Sequence, residues 1–240
     1  MNRYKLLNEV LIEWNESSKE DSDNVFLNSE DIKKRLPVHK LYLVNGIKFY
    51  MININDKFWI GETLVTQDLW RAVTGEYYNT RFWNASKGNN PLCPAEKIIW
   101  EDCLNFIKKL NILTKEKFRI PTTSEWEEAC GNEFKEYFNS IKKDDLIKGL
   151  GEYAWFMENS DEHAHPVAEK LPNEYGIFDI LGNLWEWCIM SGESWPAGRP
   201  VCKGGSYRIP VQQCTISNIW LDALYYGSRA NGMGLRLAMD

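Results

Sequence analysis

At 240 residues the chain can bury a sizeable core, as one large domain or two small ones. Its formal net charge of −6 argues against a general nucleic-acid binder, which needs a basic field, and no run is long and apolar enough to span a membrane. With 44% hydrophobic and 26% charged residues the composition is globular, and 11 Trp, 11 Tyr and 10 Phe can serve both a core and a recognition surface.

Asn8 and Glu9 interrupt the first apolar run and spoil a signal-peptide core. The chain as given therefore reads as cytoplasmic, with a surface or secreted location only if a leader was removed beforehand. Leu6, Leu7, Val10, Leu11 and Trp14 share one face, which predicts an amphipathic helix over 3–15. A second short helix over 29–36 stops at Pro37. Strands follow at 41–44 and 47–54 around an Asn45-Gly46 hairpin turn, with a third at 58–62. Thr66 caps a helix through Val73 that Gly75 ends. The stretch 76–92 reads as loop, and Trp100, Cys103, Leu104, Ile107 and Leu110 form the inward face of a helix over 100–110. Overlapping capping-box patterns around Thr122-Thr123-Ser124-Glu125 start another helix. The charged run 135–148 reads as an insertion. Beyond Gly149 periodicity fades, until the alternation of Leu235-Arg236-Leu237 suggests a final strand.

The six cysteines, at 93, 103, 130, 188, 202 and 214, include no CxxC pair, which fits buried thiols better than a zinc knuckle or a redox motif. His163 and His165 are a possible ligand pair, or simply a loop beside Pro166. The densest stretch is 176–187. Phe178, Ile180 and Leu181 read as core, and Gly182-Asn183 as a tight turn that tolerates positive φ. Asp179 and Glu186 flank that turn and could converge with its carbonyls on a hard cation such as calcium. The plainer alternative gives Asp179 a turn cap and Glu186 a salt bridge; EF-hand spacing is absent.

Several of these pieces, in this order, resemble one family. They are Phe58-Trp59-Ile60-Gly61-Glu62 with Val65-Thr66-Gln67, Asn90-Pro91 followed by Ile99-Trp100, Arg119-Ile120-Pro121-Thr122 with Glu125-Trp126-Glu127, His165-Pro166-Val167 and Pro172-Asn173-Glu174. Gly182-Asn183-Leu184-Trp185-Glu186-Trp187, Lys203-Gly204-Gly205-Ser206-Tyr207 and Gly234-Leu235-Arg236-Leu237 complete the set. The ordered set is similar to the formylglycine-generating-enzyme type of the C-type lectin fold, from about residue 41 onward. The resemblance implies an α+β domain over 41–240 with little regular structure and a central twisted antiparallel sheet, preceded by a helical extension over 1–40. It also implies a structural calcium held by the side chains of Asp179 and Glu186 and the carbonyls of Gly182 and Leu184.

In the enzymes of this family, the resemblance implies a copper-binding cysteine pair after Gly-Gly-Ser. Cys214 takes the second place, but the first is Ile209, which cannot ligate metal; Cu(I) needs thiolate-type ligands, so no copper is expected. The sulfoxide-synthase branch adds an iron domain with clustered histidines, whereas residues 1–40 contain only His39. The frame Gly204-Gly205-Ser206, Cys214 and Gly234-Leu235-Arg236-Leu237 is most like the variable proteins of diversity-generating retroelements. That resemblance implies a diversified face between the fixed pieces, built here from Tyr207, Arg208, Ile209, Ile219, Trp220, Leu221, Asp222, Tyr225, Tyr226 and Asn231. Large aromatics in irregular chain suit a protein ligand better than a sugar, although on spacing alone they read as ordinary core.

Overall fold

The structure, a computed structural model, describes residues 38–75, 90–142, 145–192, 198–221 and 232–240. The helices expected at 3–15 and 29–36 lie outside these residues, as do Asp222, Tyr225, Tyr226 and Asn231 of the expected face.

Strand β1 (His39–Val44) turns through Asn45 and Gly46, both at positive φ (46° and 85°), into β2 (Ile47–Ile54). An Asn-Gly pair accepts that backbone at little cost, and its twist matches the flanking strands. Pairing Val44 with Ile47 sets the register, so Tyr42, Val44 and Met51 point into one core while Ile52 and Ile54 point into another. β3 (Phe58–Gly61) continues the meander. Helix α1 (Gln67–Thr74) begins where Thr66 Oγ1 accepts from the Leu69 amide, a long contact at 3.5 Å, and ends on Gly75 in the left-handed region. Both caps lie where the sequence puts them.

Helix α2 spans Trp100–Thr114, longer than the sequence pattern suggests. Cys103, Phe106, Ile107 and Leu110 are buried, but Leu104, expected inward, is exposed; its inward place is taken by Phe106, whose ring stacks on Trp70 at 4.7 Å. Helix α3 (Thr123–Ala129) has the full capping box. Thr122 accepts from the Glu125 amide, and the Glu125 carboxylate accepts from the Thr122 amide at 2.8 Å. The charged stretch read as an insertion folds instead into α4 (Asn132–Ser140) and α5 (Leu146–Gly151), pinned by Phe134 and Leu150 in the core.

From there the chain is mostly irregular up to β4 (Trp185–Ile189) and β5 (Pro200–Lys203). A 3-10 turn at Val211–Gln213 leads to β6 (Ile219–Trp220); β7 (Met233–Gly234) and β8 (Ala238–Met239) end the chain. The fold is the expected α+β class, and among the described residues its strands form two four-stranded sheets. One is antiparallel, in the order β1-β2-β3-β8; the other runs β6-β5-β4-β7 and contains a parallel β4–β7 pair. Leu235-Arg236-Leu237, expected as the final strand, is the buried link between β7 and β8. It joins strands of different sheets, so neither ladder extends through it.

Both sheets send alternate side chains to opposite sides. Trp185, Trp187 and Cys202 enter the core that holds Met51, Trp70, Phe106 and Leu237, while Cys188 and Val201 enter the one that holds Ile52, Ile60, Trp126 and Phe156. All six cysteines are free thiols, five of them buried and Cys93 half-buried. Among the described residues, no helix is long and apolar enough to cross a membrane.

Candidate functional site

The turn between the two cores is built around one ion pair. Glu186 on β4 and Arg236 beyond β7 are both fully buried, and Nη2 donates to Glu186 Oε1 at 2.7 Å while Nε lies 2.9 Å from Oε2. The remaining guanidinium donors take backbone carbonyls of Gly61 (2.9 Å), Glu62 (3.1 Å) and Phe178 (2.9 Å), with Asp179 at 3.3 Å. Trp126 Nε1 of α3 adds a bond to Glu186 Oε2 at 2.7 Å. Fork geometry lets one arginine satisfy carbonyls from β3 and from the turn together with a carboxylate. The salt-bridge reading of Glu186 is therefore realised, and Arg236, noted in sequence only as part of a frame, is its partner. No spacing rule could have joined residues so far apart.

Asp179 is different. It is a non-glycine residue at φ 53°, buried, with Oδ2 accepting from the Ala168 amide at 2.9 Å and Oδ1 without a partner. Burial pushes its carboxyl up to about 6. Gly182 closes the turn at φ 72°, where a Cβ would sit 2.3 Å from the Trp155 carbonyl oxygen, so glycine is required. Of the four expected calcium ligands, Asp179 thus offers a free, desolvated carboxylate oxygen, which fits a hard cation. Both Glu186 oxygens already carry hydrogen bonds, so Glu186 could ligate only by sharing them with Arg236. The His163 and His165 rings do meet, with centroids 4.2 Å apart, but the His165 ring lies flat on Trp155 at 3.7 Å and its Nε2 pairs with the Ser160 carbonyl, so they sit as a packed loop pair. Phe178, expected as core, is half-buried, and Ile177 takes that role.

The segment after Gly204-Gly205-Ser206 divides sharply by exposure. Tyr207, expected on the binding face, is buried, and its hydroxyl donates to Glu96 Oε1 at 2.7 Å. Burial and the neighbouring carboxylate push that phenol well above its ordinary range. Ile209 and Ile219 are half-buried against the cores, and the half-buried Trp220 has its ring 5.8 Å from Trp185. Arg208 and Leu221 are exposed. So are Gln212, Gln213 and Ser217, three polar positions outside the expected face. Side-chain size does not mark exposure here, because a large apolar residue beside a sheet edge is drawn into the core.

Cys214 is fully buried, and burial pushes its thiol up to about 12. Its sulfur packs so tightly on the backbone that a Cβ at Gly205, itself at φ 81°, would approach it to 2.7 Å. Thiolate chemistry needs a lowered pKa and access, and Cys214 has neither. Glu96 was missed in sequence, where it is a lone carboxylate in the run Pro94-Ala95-Glu96-Lys97-Ile98. Lys203, noted in sequence only as part of a frame piece, is fully buried, and its Nζ reaches Glu127 Oε1 at 2.8 Å and the Ile216 carbonyl at 2.6 Å.

Removing one side of a buried ion pair typically costs about 3–5 kcal/mol, because the other charge is stranded. Glu186→Gln is therefore expected to lower the urea unfolding free energy by about that amount. A loss of under about 1 kcal/mol would show that Arg236 is satisfied by carbonyls alone.

Comparison with known proteins agrees with this geometry. Residues 49–240 match the family described as the sulfatase-modifying factor enzyme 1-like domain. Among solved structures, Treponema denticola variable protein 1 superposes with a TM-score of 0.68 at 26% identity, covering 85% of this chain and 99% of that one. The chaperone protein LppX of Paenibacillus barcinonensis is 25% identical, covering 74% of this chain and 76% of its own length. The formylglycine-generating enzyme of Thermomonospora curvata is 27% identical over 50% of this chain, which spans only 41% of that enzyme. The buried turn, the Gly-Gly-Ser segment and the closing Gly-Leu-Arg-Leu thus sit in a domain of known kind, and the chain belongs to the sulfatase-modifying factor enzyme 1-like (formylglycine-generating-enzyme-type) family.

Proposed function

We propose that this chain is a non-catalytic binding protein that displays a diversified segment, residues 207–231, on a lectin-type scaffold to a protein ligand. The observation that carries this reading is the division of that segment. Buried frame residues (Ser206, Tyr207, Val211 and Cys214) hold the backbone, while Arg208, Gln212, Gln213, Ser217 and Leu221 project from it. A fixed frame with separate outlets lets side chains change without altering the core. The likeness to a variable protein over nearly its whole length supports the reading, and so does a relative named as a chaperone.

Flanking DNA and two variants test it. Beside the gene we expect a reverse transcriptase and a near-copy of the 3′ coding segment that differs at adenines. Arg208→Ala with Leu221→Ala should change stability by no more than about 0.5 kcal/mol, as for surface sites, whereas Trp220→Ala should cost about 2 kcal/mol, roughly half the range for a fully buried aromatic. Absence of the repeat, together with unfolding of the Arg208/Leu221 variant, would remove the reading.

The rival reading, an oxidase that modifies a partner protein, would need Cys214 to act as a metal-bound thiolate. With Ile209 in the first cysteine's place, half-buried against both cores, and Cys214 sealed from solvent, that reading lacks its chemistry. Protein loaded with Cu(I) and given cysteine-containing peptides in air is expected to form no aldehyde. Aldehyde formation abolished by Cys214→Ser would restore the rival.

Calcium at the turn completes the proposal, as a stabiliser of the scaffold. Its support is the buried Asp179 Oδ1 without a partner. Carboxylate and carbonyl oxygens, here Asp179 with Gly182 and Leu184, are ordinary calcium donors. Calcium bound to the native state should raise the melting temperature by several degrees, at about 2–4 °C per kcal/mol for a domain of this size. In chelator, Asp179→Asn should melt above wild type, since a neutral amide is cheaper to bury and asparagine tolerates positive φ. Adding calcium should leave that variant unmoved. Equal melting of metal-free wild type with calcium and with chelator would overturn this part.

A further inference from the structure

Both ends of the display segment arrive at one oxygen atom. At the leading end, the Tyr207 hydroxyl donates to Glu96 Oε1 at 2.7 Å. At the trailing end, the Gly232 amide donates to the same oxygen at 2.8 Å. Glu96 and Gly232 are both buried, and Gly232 sits so close to the leading end that a Cβ there would approach Ser206 Oγ to 3.1 Å. The leading end is also fixed to the turn before β4, and the trailing end to the first residue of that strand. The Tyr207 amide donates to the Asn183 carbonyl at 2.9 Å, and the Trp185 amide donates to the Gly232 carbonyl at 2.7 Å.

The carboxylate itself is held from the core side. Its neighbours Ala95 and Lys97 donate backbone amides to the Val65 carbonyl (2.8 Å) and the Met233 carbonyl (3.1 Å). None of these bonds uses a side chain between 208 and 231. Exchanging the side chains of that stretch therefore leaves every one of them in place. The entropy of closing a loop depends on holding its ends, and these bonds hold the ends of this one. A single carboxylate oxygen accepting two donors away from water makes strong, directional bonds, and removing it strands both donors.

We infer that Glu96 is a positioning residue that clasps the two ends of segment 207–232, so that its interior side chains can be exchanged over an unchanged frame. This rests on the display reading proposed above for the same segment. It adds a role for a residue outside the segment, on the chain leading into α2.

Amide hydrogen exchange and limited trypsin digestion of the intact chain test the clasp without any ligand. Glu96→Met keeps the length and removes the acceptor. It should speed exchange at Gly232 at least tenfold and cleavage at Arg208 or Arg229 by a similar factor, with β2 and residues 187–189 of β4 exchanging as in wild type. Glu96→Gln retains an oxygen acceptor and should stay within about threefold of wild type. Tyr207→Phe removes one donor of the two, so it should speed exchange at 207–209 severalfold and leave Gly232 protected.

Unchanged exchange and cleavage in Glu96→Met would overturn the inference. So would equal acceleration in β2 and in residues 187–189 of β4, which would make Glu96 part of the general core. If Glu96→Met yields no folded protein, Tyr207→Phe decides: faster exchange confined to 207–209 supports the clasp, and wild-type exchange there overturns it. Absence of the template repeat beside the gene, together with unfolding of the Arg208/Leu221 variant, would remove the display reading and leave the exchange result standing, so the two can fail separately.

Discussion

The buried Glu186–Arg236 pair is the constraint on which the rest of the domain depends. Each partner is too polar to be buried alone, and neither is near the other in sequence. Their meeting requires β3, the 178–186 turn, α3 and the link between β7 and β8 all to be in place, because each supplies a donor or an acceptor to the pair. A hydrophobic pair of the same volume could give similar stability, but it would not demand this arrangement. In a domain with so much irregular chain, such a demand selects one packing among many compact ones.

The same economy appears at the edges of the irregular chain. Asn173 accepts from the Tyr175 and Ile177 amides and donates to the Ala129 and Cys130 carbonyls, so it closes one loop and seats it on the end of α3. Glu174 accepts from the Glu133 and Phe134 amides at the start of α4, where a helix N-terminus favours negative charge. Asn183 exchanges two hydrogen bonds with the backbone of His165. Backbone groups that regular strands would have paired are instead satisfied by buried polar side chains. Loops built this way can be long without being loose.

Local rules made much of the first half legible. Asn45-Gly46, the Thr66 and Thr122 caps, Gly75 and the core face of α2 each act within a few residues, so a window of sequence contains the whole cause. The errors share the opposite property. Spacing alone permits Leu104 inward, but the helix face is chosen by Trp70, which lies thirty-odd positions earlier. The partner of Glu186, the second sheet and the burial of Tyr207 and Lys203 are set by contacts between distant segments, and no window holds both sides. The candidate site was legible as a frame, through the family resemblance, but not as a surface. Which residues of the frame face outward depends on where β6 lies against β5, and the sequence carries no periodic sign of a two-residue strand.

The order of the second sheet, β6-β5-β4-β7, has a consequence for chain length. β6 and β7 are its two edges, so the chain from Trp220 to Met233 must pass from one side of the sheet to the other. Three strand spacings amount to about 14 Å. The intervening residues 221–232 could reach about 40 Å if fully extended. The span therefore takes up only about a third of the available chain. This stretch can gain or lose several residues while both edge strands keep their neighbours, so its length is set by something other than the sheet it connects.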